Sequence, residues 1–127
     1  MLKLTNPETL FSPPSNYSHI VEISGGARMA FISGQVGARS DGSCSEDFAE
    51  QVEQTLDNLS LALAAINMKT TDLVRLNAYL TPDGDVQKFR EIRDRWSEGH
   101  AAASTLVIVA ALASPSWKVE VEAVAAE

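Results

Sequence analysis

The chain has 127 residues, of which 45% are apolar and 21% charged, and its net charge is −7. This length and balance predict one globular domain, residues 1–127, whose core needs neither disulfides nor a structural metal. The acidic balance argues against nucleic-acid binding, which requires lysine and arginine gathered on one face. A single cysteine, Cys44, excludes an internal disulfide. No stretch approaches the ~20 apolar residues of a membrane-spanning helix, and we expect a cytoplasmic protein without a membrane partner.

The N-terminal third predicts two strands. Residues 1–16 are rich in turn formers and predict an arm laid over the body of the domain. A short strand is predicted over 17–24, then a tight glycine turn at 25–28 and a second strand over 29–36. Gly34 interrupts the second strand, which indicates a bulge or a place where a ligand or another backbone comes close.

The long helix is the element with the clearest periodicity. A polar loop over 37–45 contains Ser43 and Ser45, either of which can cap a helix predicted over 46–67. Apolar side chains recur along this helix at spacings of three and four, which predicts one stripe facing the core. The stripe consists of Phe48, Val52, Leu56, Leu59, Leu63 and Ile66.

A strand and a second helix follow. In the strand predicted over 72–81, alternation places Val74, Leu76, Ala78 and Leu80 on one face and Arg75, Asn77 and Tyr79 on the other. Asp85 can cap a helix that runs to about residue 98 and ends at Gly99. Its predicted inward face consists of Val86, Phe89, Ile92 and Trp96.

The C-terminal residues 103–125 predict a central hairpin. An unbroken apolar run over 103–112 is typical of a strand buried on both faces, and a Pro-Ser turn over 113–116 follows it. Residues 117–125 then alternate strictly between the two faces. One face consists of Trp117, Val119, Val121 and Ala123, and the other of Lys118, Glu120 and Glu122.

The predicted order is β-β-α-β-α-β-β, which favours an α+β layer of one sheet with both helices on the same face. The other face of the sheet has no helix to cover it, although the strands are apolar on both sides. Such a face usually marks a partner surface, and a closed ring of copies of the chain is the economical solution.

A search for catalytic motifs leaves few candidates. The sequence has no phosphate-binding glycine loop, no pair of histidines at metal-ligand spacing and no serine in a nucleophile-elbow context. We therefore predict neither a metal nor a cofactor. Glu120 and Glu122 remain, either as the solvated face of an edge strand or as carboxylates in a cleft between subunits. Tyr17 is likewise either a packing residue or a phenol that lines a pocket.

Four segments resemble the RidA (YjgF) family, which is also described as endoribonuclease L-PSP or translation initiation inhibitor. They are Tyr17-Ser18-His19, Phe31-Ile-Ser-Gly-Gln-Val-Gly37, Gln54-Thr-Leu-Asp-Asn-Leu59 and Val119-Glu-Val-Glu-Ala123. The resemblance covers essentially the whole chain. It implies a chorismate-mutase-like α+β fold, a homotrimer with three clefts between subunits, and cofactor-free hydrolysis of reactive enamines and imines to 2-keto acids and ammonia.

The resemblance also implies a site. It places a cleft near Tyr17, Ser33, Gly34 and Glu120, in which Glu120 positions a water for attack on an imine carbon. The deaminases of the family bind the substrate carboxylate with an arginine at the start of the buried C-terminal strand. In the pattern Ala102-Ala103-Ser104-Thr105, the resemblance gives the place of this arginine to Ser104.

Arg90 is a candidate for a positive charge in the cleft, in place of the arginine that the deaminases have. The family often has asparagine at this position of the second helix, towards the cleft. Two interpretations stay open: Arg90 restores a positive charge to the cleft, or it belongs to a solvated basic group with Lys88, Arg93 and Arg95.

Three functions are therefore compatible with the sequence. The first is a metabolite-binding member of the family whose clefts take a small carboxylate or imine in an unknown reaction. The second is an enamine/imine deaminase with a rearranged carboxylate site. The third is a non-enzymatic binding or chaperone-like module. The family's ribonuclease description suits a chain of net charge −7 poorly.

Overall fold

The computed structural model describes residues 2–10 and 12–127, and the predicted arm over 1–16 therefore lies partly outside the described residues. The described chain forms six strands, two α-helices and one 3₁₀ turn. The strands are β1 (Leu2–Thr5), β2 (Ile20–Ile23), β3 (Met29–Val36), β4 (Leu73–Leu80), β5 (Ala103–Ile108) and β6 (Val119–Ala126). The helices are α1 (Phe48–Ala65) and α2 (Val86–Trp96), and the 3₁₀ turn spans Thr70–Asp72.

Four of the strands form the main sheet, in the order β3-β6-β4-β5. β6 is antiparallel to both β3 and β4, whereas β5 is parallel to β4. The β4-α2-β5 segment is thus a strand-helix-strand unit, in which the helix returns the chain to the start of the next parallel strand. The α+β class is confirmed.

The predicted central hairpin at the C-terminus is wrong. β4 lies between β5 and β6, and the connection over 109–118 crosses the end of β4, where Val109 N donates to Leu80 O and Thr81 N to Lys118 O. β5 is consequently an edge strand of six residues, and it is not buried on both faces, because Val107 and Ile108 are 40% and 48% exposed. A short apolar run rich in β-branched residues favours an extended segment, but it does not specify its neighbour.

The core lies between the main sheet and the two helices. α1 and α2 both pack on one face of the sheet, as predicted, and a single apolar cluster joins them to it. The central side chains of the cluster are 0–1% exposed: Val52, Leu56, Leu59, Leu63, Leu73, Leu80, Phe89, Val119, Val121 and Ala125. A bulge between Leu73 and Arg75 turns Leu73 into this core in place of the predicted Val74, which is only half-buried.

The N-terminal residues differ from the prediction. β2 is shorter than the strand predicted over 17–24, and it does not pair with β3 across the glycine turn. Its partner is β1, which forms a separate two-stranded antiparallel sheet with it from within the predicted arm. The prediction of a single sheet is therefore wrong. Periodicity is too weak in four-residue strands to reveal their pairing.

The two helix caps show how local chemistry fixes the boundaries. Asp85 caps α2 as predicted, because its carboxylate accepts from Lys88 N. α1 begins later than predicted and its cap is Asp47, which accepts from Glu50 N, instead of Ser43 or Ser45. The Ser45 hydroxyl instead accepts from Asp47 N. Aspartate and serine are comparable caps, so the sequence alone ranks them poorly.

The side of the main sheet opposite the helices is called here the uncovered face. It is less apolar than predicted, since Phe31, Met29 and Val124 share it with charged and polar groups. Strand alternation and register place twelve side chains on it: Met29, Phe31 and Val36 from β3, Arg75, Asn77 and Tyr79 from β4, Ala103, Thr105 and Val107 from β5, and Glu120, Glu122 and Val124 from β6.

Candidate functional site

Glu120 and Gly34 meet on the uncovered face. The register between β3 and β6 shifts between Ile32 and Gln35, so Gly34 lies at a bulge, as the sequence predicted. A Cβ added to Gly34 would lie 2.0 Å from Oε2 of Glu120. The absence of a side chain at residue 34 therefore leaves room for the carboxylate to lie directly over the backbone. Ser33, next to it in the bulge, is exposed.

The carboxylate of Glu120 is available for chemistry. No described residue donates a hydrogen bond to it or pairs with it as a cation, and the residue is half-buried. An ionised carboxylate has about four acceptor positions. Both oxygens of Glu120 are thus free to accept from a water or from a ligand N–H.

Glu122 has a different environment from Glu120. The Tyr79 hydroxyl donates to its Oε1 over 2.7 Å. This hydrogen bond, with desolvation and the negative charges of Glu122 and Glu120, raises the pKa of Tyr79 above 10.0. Asn77 lies opposite Glu122 in register, and its Oδ1 is buried without a hydrogen-bond partner. Of the two glutamates, Glu122 accepts a hydrogen bond from Tyr79, whereas Glu120 has no hydrogen-bond partner among the described residues.

Arg75 places a guanidinium on the same face. Its side chain donates from Nη2 to the Thr105 hydroxyl over 3.0 Å, across the β4–β5 pair. Ala103 is the direct register partner of Arg75, and Val124 flanks it on β6. The sequence pattern put Arg75 on this side of its strand, but nothing in the pattern linked it to Glu120.

Ser104 and Tyr17 both lie at the start of β5. Ser104 is in register with the buried Leu76, so its side chain is on the helix-covered side of the sheet, away from Glu120. Ser18 N donates to Ala102 O and its hydroxyl to Ala101 O, which fixes the neighbouring Tyr17 beside this end of the strand. The ring of Tyr17 meets that of His19 edge-on, at 5.5 Å between centroids.

Arg90 lies on α2, in the helical layer, and is half-buried. No described residue forms a hydrogen bond or ion pair with it. The structure places it neither on the uncovered face nor against Glu120, and its role in ligand binding stays a prediction.

The candidate residues therefore form two groups within one chain. Ser33, Gly34, Glu120 and Tyr79 lie at one end of the sheet, and Tyr17, Ala103, Thr105 and Arg75 lie at the other. Glu120 and Val124, the β6 neighbours of Tyr79 and Arg75, are four residues apart, which is about 13 Å along a strand. This separation of backbone positions exceeds the length of a molecule of three or four carbons.

These features define a class: an α+β protein with two helices on one sheet face and a polar, carboxylate-bearing opposite face. Among the described residues, no helix is long and apolar enough to cross a membrane. Residues 8–127 match the family model described as endoribonuclease L-PSP. The chain belongs to this family, that of the RidA/YjgF and RutC-type proteins.

Individual relatives agree with this assignment. The chain is 34% identical over 113 residues to protein DfrA of Myxococcus xanthus, covering 86% of this chain and 83% of that protein. It is 33% identical over 87 residues to a RutC family protein of Aquifex aeolicus, covering 68% and 65% of the two chains. The crystal structure of the Rid-family protein YyfB of Yersinia pestis, described as of unknown function, superposes with a TM-score of 0.86. That match has 32% identity and covers 98% and 97% of the two chains.

Proposed function

We propose that the chain is a metabolite-binding member of the Rid family, with clefts between the subunits of a homotrimer that take a small carboxylate or imine. The observation that carries the proposal is the free Glu120 carboxylate over Gly34. A carboxylate without a donor or a cation partner, seated on a glycine bulge of an uncovered sheet, is an acceptor suited to a ligand N–H or a water.

The uncovered face supports assembly with further copies. Phe31 is 77% exposed although it lies within a strand of the main sheet, and Met29 beside it is 48% exposed. The buried, unpaired Oδ1 of Asn77 lacks a donor that another chain or a water would provide. A second copy would also bring a new Glu120–Gly34 group within reach of the Arg75 end of the first sheet, which one chain alone keeps about 13 Å away.

Imine hydrolysis is the second candidate function, and the unpaired state of Glu120 favours it. Glu120 would accept a proton from water as the water oxygen bonds to the imine carbon, and would pass it to the nitrogen, which takes the π electrons of the C=N bond. In the resulting carbinolamine, the hydroxyl proton would follow the same route to nitrogen as the remaining carbon–nitrogen bond breaks. The products are a 2-keto acid and ammonia, and no redox step or cofactor is required. This route needs a group that binds the carboxylate of the imino acid.

Two measurements test these proposals on the chain of 127 residues. Thermal unfolding with pyruvate, 2-oxobutyrate and the uncharged pyruvamide tests binding, and we expect only the two carboxylates to raise Tm. An assay that generates 2-aminoacrylate and follows pyruvate tests hydrolysis, with E120Q as the matched variant. Wild-type acceleration that E120Q loses supports the deaminase. Binding without acceleration supports the metabolite-binding function without the deaminase activity. The absence of both binding and acceleration contradicts the proposal and favours a non-enzymatic module.

A further inference from the structure

We infer that Arg75, held by Thr105, is the group that binds the carboxylate of the ligand. The inference rests on the proposed function, because it names the chemistry of one end of the same face. It assigns anion recognition to β4, in the middle of the sheet, whereas the sequence directed attention to Ser104 on β5 and Arg90 on α2.

The ion-pair pattern of the chain supports this assignment. Arg28, Arg93 and Arg95 each pair with a carboxylate, from Glu127, Asp94 and Glu53 respectively. Among the described residues Arg75 has only the neutral Thr105 hydroxyl as a partner, although Glu120 and Glu122 share its sheet face. A guanidinium has five N–H donors, so at least four remain for a ligand. Within residues 2–10 and 12–127, Arg39 and Arg90 also lack a carboxylate partner, but they lie in a loop and on α2, off the uncovered face.

The neighbours of Arg75 give it both orientation and space. The 3.0 Å hydrogen bond to Thr105 fixes Nη2 of Arg75 towards β5. The other N–H groups of the guanidinium are then left to donate to an anion. Ala103, its register partner, has a side chain too small to cover the guanidinium. A planar fork beside a small residue fits a carboxylate, which accepts two parallel N–H bonds, better than it fits a neutral carbonyl.

Serine at position 104 cannot take this role from its own position. Its side chain shares a sheet face with Leu76, which is 5% exposed in the core. The same alternation brings Arg75, one residue before Leu76, to the uncovered face. A small carboxylate on this face therefore meets the guanidinium of Arg75 and no other cationic side chain of β3, β4, β5 or β6.

The test compares wild type with R75A, R75K and T105V, and uses R95A as the matched control. R95A removes the same charge from a similarly exposed arginine, but on the helical layer, where Arg95 pairs with Glu53. Pyruvate and pyruvamide are titrated calorimetrically into each protein, and sedimentation velocity gives the assembly state of each. Far-UV circular dichroism confirms that each variant is folded.

We expect R75A to lower the pyruvate affinity at least about tenfold, because a charge-assisted bidentate contact is lost. R75K should lie between R75A and wild type, since it keeps the charge but not the fork. T105V should weaken binding less than R75A, and R95A should bind pyruvate as wild type does. Pyruvamide should bind weakly to all of them.

Two results would overturn the inference while the proposed function stands: pyruvate binding by R75A at wild-type affinity, or an affinity loss in R75A that accompanies dissociation of the assembly. The second result would assign Arg75 to an ion pair between copies. Absence of pyruvate binding to wild type would instead contradict the proposed function, and this inference with it.

Discussion

The carboxylate of Glu120 occupies the position that a side chain at residue 34 would need. A Cβ at Gly34 would lie 2.0 Å from Oε2 and 2.8 Å from Cδ of Glu120, and the contacting atoms are the far end of a flexible side chain. The glycine is thus required by the position of one carboxylate, since the three heavy atoms nearest to the added Cβ all belong to the side chain of Glu120.

This relationship predicts the effect of G34A. The methyl group should displace the Glu120 carboxylate and slow the release of pyruvate in the 2-aminoacrylate assay about tenfold, because misplacement of a catalytic group by about 1 Å is costly. Folding should be affected little, by about 1 kcal/mol or less, since Glu120 can rotate away. The 2-aminoacrylate assay and urea unfolding measure the two quantities.

A double-mutant cycle supplies the control for G34A. In an E120A background the added methyl group has no carboxylate to displace, so G34A should then change the remaining rate of pyruvate release hardly at all. An equal effect of G34A with and without Glu120 would show that residue 34 acts through the backbone instead.

Phe31 provides a test of assembly. F31S removes an aromatic side chain that is 77% exposed within one chain, so the fold of the subunit should be unchanged while a trimer built on this face dissociates. Sedimentation velocity measures the mass. The matched control is L61S, which changes a 68% exposed apolar residue on α1, in the helical layer. Dissociation by L61S and not by F31S would place the interface on the helices.

Gln51 provides a test of what holds the site in place. This fully buried residue of α1 donates to Ser45 O and Ser116 O, and its Oε1 accepts from Lys118 N, immediately before β6. Q51L keeps the volume but leaves these groups unpaired, and should lower the free energy of unfolding by about 3 kcal/mol. Urea unfolding measures the loss. Q87L, at an exposed position of α2, should change it by less than about 0.5 kcal/mol.

The raised pKa of Tyr79 predicts that the free energy of unfolding depends on pH in the alkaline range. Its pKa is raised above 10.0 in the folded chain, chiefly by the hydrogen bond to Glu122. Because the folded state holds the proton more tightly than the unfolded state, this contribution to stability is fully present below about pH 10 and is lost as pH rises through the folded pKa. Unfolding of wild type and Y79F between pH 8 and pH 11 should show a stability difference that shrinks with pH. A constant difference would contradict the role of Glu122.

Local patterns in the sequence predicted much of the architecture. The three- and four-residue spacing in α1 and α2 identified their buried faces, and the alternation in β6 identified Val119, Val121 and Ala123 as core residues. Asp85 as a cap and Gly34 as a bulge followed from the conformations that these residue types favour. These signals are local, since each depends on residues within a few positions of one another.

Strand order and the site depended on contacts between distant segments. Nothing in residues 103–125 distinguishes a hairpin from two strands separated by β4, because the choice is made by α2, which returns the chain parallel to β4. The same tertiary arrangement places Arg75 beside Ala103 and turns Ser104 towards the core. The sequence by itself determined the two helices, most of the extended segments and the buried faces of α1, α2 and β6. Only the tertiary structure decided that Glu120 lies over Gly34 and that Arg75 shares its face, because register between strands aligns residues far apart in the chain.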